Sequence, residues 1–357
     1  MTVAHAPIFV IGTGRSGTTL LRLMLCAHPR IYITHEASFY VWEKVFPRRA
    51  PRREFLNYYV RTPSFRWLRL DPARVLARLP DPLPCERLRD VYAAVMREKA
   101  ADYGRVRFGD KTPSHAASLG RIYEDFPDAR VVHIVRDPRS TALSLSRMPW
   151  SCASLYANAV FCELELKQVA PYRDRILQLR LEDLLASPRA TMGRVLEFVG
   201  EPWDDAVLDH ARHAPDRSDM PPLPWLESAT RDRGAPANQW AELTPIETRM
   251  IERVTRRIMT ESGYEPARLD REPSRRAVLW ARLRQIPEIA RYVAAYWKVG
   301  KYIRDPRCFD TQRTIDLMHR VNPGSWARYP GFELPFAPSL DGFRAPTLDA
   351  RRDAAVA

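Results

Sequence analysis

Gly12-Thr-Gly-Arg-Ser-Gly-Thr-Thr19 stands between an apolar run, Ile8 to Ile11, and an amphipathic one carrying Leu20, Leu21, Leu23, Met24 and Leu25. The pattern predicts a strand over 7–12, a glycine-rich turn, and a helix over 17–28. Backbone N–H groups at such a turn bind anions, because the first helical turn has no internal acceptors for them. In the nucleotide-hydrolysing loop GxxxxGK[ST], a lysine follows the second glycine and a hydroxyl holds magnesium. Here Gly12 and Gly17 keep that spacing, but Thr18 occupies the lysine's place. The cation inside the loop is Arg15, placed to reach the reactive end of a bound donor. This arrangement suits a metal-free anionic donor better than a magnesium triphosphate.

The run Gly14-Arg-Ser-Gly-Thr-Thr-Leu-Leu-Arg22 resembles the 5′-phosphosulfate loop of sulfotransferases that use PAPS (3′-phosphoadenosine 5′-phosphosulfate), where Lys or Arg precedes Ser/Thr-Gly-Thr-Thr. The likeness is to the bacterial branch related to tyrosylprotein sulfotransferases. It implies that Gly14, Arg15, Ser16, Gly17, Thr18 and Thr19 hold PAPS as co-substrate, with no metal. PAPS also carries a 3′-phosphate that no ATP enzyme needs to read. A β-branched run, Val131 to Val135, leads into Arg136-Asp-Pro-Arg139 and a helix-compatible stretch. Arg136, with Ser144 eight residues on, matches the family's 3′-phosphate motif. Arginine suits this task because its planar fork makes charge-assisted bidentate bonds to phosphate.

Sulfuryl transfer needs in-line positioning, a base for the acceptor hydroxyl, and positive charge on the leaving oxygen. Glu36, in His28-Pro-Arg-Ile-Tyr-Ile-Thr-His-Glu-Ala-Ser38, matches the carboxylate that serves as general base in the tyrosylprotein-like relatives. His35 beside it is a rival, since histidine titrates near neutrality. Lys111, in Asp110-Lys-Thr-Pro113, matches a lysine that holds charge on the transferring group in those relatives, although a lysine before proline can equally be a solvated turn residue. Ser228, Arg231 and Arg233 lie in a polar, Gly/Pro-containing stretch, Trp225 to Trp240, that fits by position a loop closing over the nucleotide. In Leu181-Glu-Asp-Leu the family's usual tyrosine is replaced by Leu181, so a nucleotide contact from that place is not expected.

Strand signals at 130–135 and 175–181, helix signals at about 87–103 and 188–199, and an extended piece near Ile31 to Thr34 alternate along the chain. The implied fold is α/β, a P-loop type parallel sheet flanked by helices, with a helical C-terminal extension. Residues 1–264 are read as the sulfotransferase domain and 265–357 as a basic, aromatic extension. Residues 46–90, rich in Arg and Pro, are read as irregular helices walling the acceptor site. In the extension, arginines and lysines from Arg275 to Arg304 interleave with Trp280, Tyr292, Tyr296, Trp297 and Tyr302. The aromatics are expected to pack on the parent domain, with peripheral membrane contact as the other reading.

Composition bounds these readings. The chain has 357 residues, net charge +13 and pI near 9.8, which points to anionic ligands or surfaces. No nucleic-acid-binding signature accompanies the charge, so nucleic acid is rejected as the main partner. Five cysteines without CxxC or Cys/His spacing argue for buried thiols in a reducing compartment. The N-terminus reaches the loop too soon for a cleaved signal peptide, and no apolar run approaches the roughly 20 residues that cross a bilayer, so a cytoplasmic location is expected. The resemblance implies transfer from PAPS to a hydroxyl of an acceptor that the sequence does not identify, a carbohydrate, glycolipid or other small molecule being favoured over a protein. A P-loop nucleotide-dependent kinase is the alternative, opposed by Thr18 in the lysine's place. A silent binding fold is opposed by the coexistence of Arg15, Glu36 and Lys111.

Overall fold

The computed structural model describes residues 6–46, 55–79, 88–214, 223, 225–226, 238–303 and 320–328. Five strands, β1 (Ile8–Ile11), β2 (Ile31–His35), β3 (Arg107–Lys111), β4 (Arg130–Val135) and β5 (Ile176–Arg180), form one parallel sheet in the order β2-β3-β1-β4-β5. β1 is Ile-Phe-Val-Ile with every residue buried, as expected of a central strand covered by helices on both faces. Ile8 stands opposite Gly109 on one side and Arg130 on the other. A Cβ on Gly109 would lie 2.0 Å from the Ile8 carbonyl oxygen, so only glycine lets β3 approach β1 this closely.

Between β1 and β2 runs α1 (Thr18–Ala27), one residue shorter at each end than the sequence pattern suggested. Its apolar side joins a core that includes Phe9, Phe39, Tyr40, Phe55, Tyr59 and Tyr92, with Phe9 stacked on Tyr92 at 5.3 Å. The described part of 46–90 contains three short helices, Phe55–Tyr59, Pro63–Leu68 and Pro72–Ala77. The second and third start with proline behind an N-cap, Thr62 and Asp71, whose side chains accept from Phe65 N and Ala73 N.

Three readings of the sequence change. β3 was not anticipated, because Arg-Phe-Gly-Asp-Lys offers neither alternation nor an apolar run, yet all five residues are buried. Leu181 does not end β5; it opens the next helix, Leu181–Ala186. In the extension, the helices Arg275–Leu283 and Ile286–Ile303 rest on the domain through Gln285, whose Oε1 accepts from Ser154 Oγ at 2.6 Å and Tyr156 N at 3.0 Å. Arg282 lies over the Tyr156 ring and Tyr292 meets Phe161, but Trp280 is 63% exposed and Trp297 79%, contrary to the expectation that the aromatics pack inward. The side chains of Tyr296 and Tyr302 lie outside what is described.

Candidate active site

Four of the chemical residues named from the sequence sit at, or shortly after, the carboxyl end of a strand, Arg15 after β1, Glu36 after β2, Lys111 at the end of β3 and Arg136 after β4, while Ser144 lies in the helix Pro138–Ser146 that follows β4. In open parallel sheets this edge holds ligands, where crossovers depart in opposite directions. The loop after β1 is built around its glycines. Gly12 (φ 153°) would place a Cβ 2.3 Å from the Ile134 carbonyl oxygen, and Gly17 (φ 99°) would place one 2.6 Å from Leu181 Cδ1. Leu181 therefore floors the loop, which explains why an apolar side chain stands there. Arg15 itself adopts a left-handed φ of 72°, a conformation that costs a non-glycine residue free energy of the order of 1 kcal/mol.

Ser16 Oγ is buried and has no hydrogen-bond partner among the described residues, and the first turn of α1 carries no acidic residue. An anion in the loop would satisfy both the hydroxyl and the first-turn N–H groups, so the residues present fit a phosphate-bearing donor. Arg15 Nε donates to Ser144 Oγ at 3.2 Å and Nη1 to the Trp225 carbonyl at 2.8 Å. Arg136 Nη1 donates to the Arg15 carbonyl at 3.2 Å. The loop and the Arg136/Ser144 motif, 121 residues apart, are thus one hydrogen-bonded unit. Burial pulls the Arg136 guanidinium down to about 10, opposed by Glu182 and reinforced by Arg15, which leaves it charged at neutral pH.

The second half of the site is the junction of β2 and β3. Lys111 is fully buried, and its Nζ donates to Glu36 Oε1 at 2.7 Å, whereas the Glu36 side chain is 47% exposed toward the cavity. A solvated turn lysine is therefore not what Lys111 is. Desolvation draws its pKa down, with Glu36 opposing the shift. Glu36 (φ 51°) and Ser38 (φ 53°) both lie in the left-handed region. That turn is held by Asp110, whose Oδ1 accepts from Ala37 N and Thr34 Oγ1, each at 3.1 Å, and by Ser38 N donating to Thr112 Oγ1 at 3.0 Å. Desolvation raises Asp110 to about 7 despite the hydrogen bonds from Thr112, Thr34 and Ala37. His35 lies 3.9 Å from Glu36 Oε1, and burial, with Lys111 and Arg22 nearby, holds it well below its ordinary value, so the ring is neutral.

Both halves open into one cavity of 870 Å³. Arg15, Thr18, Thr19, His35 and Glu36 reach it from the strand ends, and Trp67, Trp150, Phe161, Leu164 and Trp225 give it apolar walls. Reading the sequence missed Asp110, although it was quoted beside Lys111, and missed Glu165, which lines the cavity, accepts from Thr13 Oγ1 and lies 3.3 Å from His133 Nε2. No local signal marks Glu165; it reaches the loop from the helix Leu155–Val169. Ser228, Arg231 and Arg233 lie outside the described residues.

Known proteins resemble this chain. Protein-tyrosine sulfotransferase 1 of Danio rerio is 26% identical over 275 residues, covering 72% of this chain and 72% of its own length. Protein-tyrosine sulfotransferase A of Caenorhabditis elegans is 28% identical over 217 residues, 57% of this chain and 52% of its own. Among solved structures, the sulfotransferase domain of the Synechococcus PCC 7002 olefin synthase is 21% identical and covers 68% of this chain and 90% of that one, with a TM-score of 0.46. The model of the sulfotransferase family matches residues 7–205, more than half of the 357 residues, and the chain belongs to that family.

Proposed function

We propose that this chain moves the sulfuryl group of PAPS to the hydroxyl of a small acceptor with an apolar body, with Glu36 as base and Arg15 and Lys111 as charge-stabilising groups. The reading rests chiefly on one observation: the anion loop, joined through the Arg15 carbonyl to Arg136, and Glu36, held from behind by the buried Lys111, line the same cavity. Bound PAPS supplies an electrophilic sulfuryl group on a good leaving group. Ser16, Thr18, Thr19 and the first-turn N–H groups of α1 hold its 5′ end, Arg136 and Ser144 its 3′-phosphate, with Ser228, Arg231 and Arg233 as further donor contacts. Glu36 presents one carboxylate oxygen to solvent while Lys111 fixes the other, which orients the free oxygen toward an acceptor proton. Arg15 in the loop and the buried Lys111 ammonium, acting from beside Glu36, are assigned to offset the negative charge that grows as the sulfuryl group passes, and low local dielectric strengthens the buried charge.

The walls bear on the acceptor. Trp67, Trp150, Phe161, Leu164 and Trp225 favour a ring or chain carrying a hydroxyl over a bare sugar, so a glycolipid or phenolic molecule fits better than a free carbohydrate. A peptide tyrosine, the acceptor for which the zebrafish and worm relatives are named, is the second reading, since its phenol has the same character.

Thermal shift in EDTA tests the donor assignment. Adenosine 3′,5′-bisphosphate should stabilise the fold well above AMP, and Arg136→Ala should weaken the bisphosphate by about 1.5–3 kcal/mol while leaving AMP nearly unchanged. Equal stabilisation by the two nucleotides would remove the assignment.

A further inference from the structure

The helices Arg275–Leu283 and Ile286–Ile303 divide their residues between two faces. Val278 and Ala295 are buried against the domain, and Gln285 and Tyr292 make the contacts described above. On the opposite side, Leu279, Trp280, Leu283, Ile286, Val293 and Trp297 are all exposed. Ile286, Val293 and Trp297 recur at the spacing of a single helical stripe, and Trp280 and Leu283 share one side of the preceding helix. Scattered exposed apolar residues need no explanation, but aligned apolar faces carrying two open tryptophans do.

The charge around the stripe selects the occupant. From Arg275 to Ile303 the sequence carries seven Lys or Arg and one acid, Glu288, which Arg291 neutralises at 2.7 Å. Arg275, Arg276 and Arg284 are exposed at the margins of the stripe. A basic amphipathic helix pair with tryptophans on its apolar side has the composition that lies in the interface of an anionic bilayer, indole rings at headgroup depth and guanidinium groups on phosphates. Among the described residues no helix is long and apolar enough to cross a membrane, so the contact is one of lying on the surface.

The domain-facing side of the helix Ile286–Ile303 adjoins the cavity wall. Phe161 and Leu164, both exposed, line it from the helix Leu155–Val169, and the Phe161 ring meets Tyr292 at 6.1 Å. We infer that the two C-terminal helices dock the chain on an anionic lipid surface with the cavity mouth beside the bilayer, where an amphiphilic acceptor can enter from the lipid. The docking stands on the helices alone; only the entry of an acceptor rests on the sulfotransfer reading.

Flotation of the full chain with phosphatidylcholine vesicles, with and without phosphatidylglycerol, reads docking without requiring turnover. The chain should float with phosphatidylglycerol-containing vesicles and release at high salt. Trp280→Ser with Trp297→Ser should lower the partition coefficient about tenfold or more. Arg275→Glu with Arg276→Glu should remove the dependence on phosphatidylglycerol. Both variants alter exposed residues and should keep the wild-type thermal shift with adenosine 3′,5′-bisphosphate, which verifies the fold. Wild-type chain that stays with the unbound protein, or a tryptophan variant that floats like wild type, would overturn the inference. So would a wild-type dimer that the tryptophan substitutions convert to monomer without any vesicle binding, since the stripe would then be covered by a second copy.

Discussion

Glu36 combines three properties at one position: a strained backbone, a carboxylate oxygen fixed by a buried lysine, and a second oxygen open to the cavity. Glu36→Gln keeps the shape and the Lys111 contact but cannot accept a proton, so turnover on a phenol that the wild type sulfates should fall by roughly a hundredfold or more. Affinity for adenosine 3′,5′-bisphosphate should stay near wild type, because Glu36 faces the acceptor side. His35→Ala should cost less, as its ring is a weak base where it sits; a dead His35→Ala beside an active Glu36→Gln would move the base to His35. Arg15, Glu36 and Lys111 could be singled out in the sequence because each stands in a short motif that the family resemblance covers. Asp110 was not, since its task of holding Ala37 and Thr34 depends on two strands meeting in space rather than on sequence spacing.

At the level of elements, β3 is the unusual part. A strand with Arg107, Asp110 and Lys111 buried inside a sheet defeats hydrophobic patterning, and the charges are tolerated because each has a partner from another element. Asp110 gives this arrangement a pH signature. Its carboxyl titrates at about 7 when folded against 3.8 ordinarily, so between those values the folded chain holds a proton the unfolded chain has lost, and stability declines as pH rises. His115, 3.6 Å away, is pulled by burial to about 3 from 6.5 and acts in the opposite sense over most of that window. Lys111, drawn down by desolvation, adds stability only as pH climbs toward its ordinary value of 10.5. Both are shared by wild type and Asp110→Asn, so the difference between the two isolates the carboxyl. Urea unfolding from pH 4 to pH 7 should show wild type losing stability relative to Asp110→Asn; parallel curves would place the Asp110 carboxyl near its ordinary value. By contrast, β1, β4 and β5 were readable as apolar runs, and the helix Pro188–Val199 as a proline start.

For the molecule as a whole, Glu201 ties the far side of the sheet together. Its two oxygens accept from Arg107 Nη1 at 2.6 Å and Arg30 Nε at 2.8 Å, joining β3, the turn before β2 and the segment after the helix Pro188–Val199. Glu201→Ala leaves the buried Arg107 guanidinium without its carboxylate and should cost about 3–5 kcal/mol in urea unfolding, with Glu201→Gln losing less. The parallel α/β architecture was legible from the alternation of strand and helix signals. The strand order was not, because it turns on β3, the strand with no pattern. The same architecture divides labour in a way that bears on how such a chain diversifies. The groups proposed to react lie at strand ends fixed by the sheet, whereas Pro63, Trp67, Pro113 and Trp225, which shape the cavity, belong to short helices and turns outside it. Substitutions or length changes in those segments can exchange one hydroxyl compound for another while the donor loop and the Glu36–Lys111 pair stay in register. Across descendants of this fold, acceptor preference is therefore free to drift much faster than the reaction.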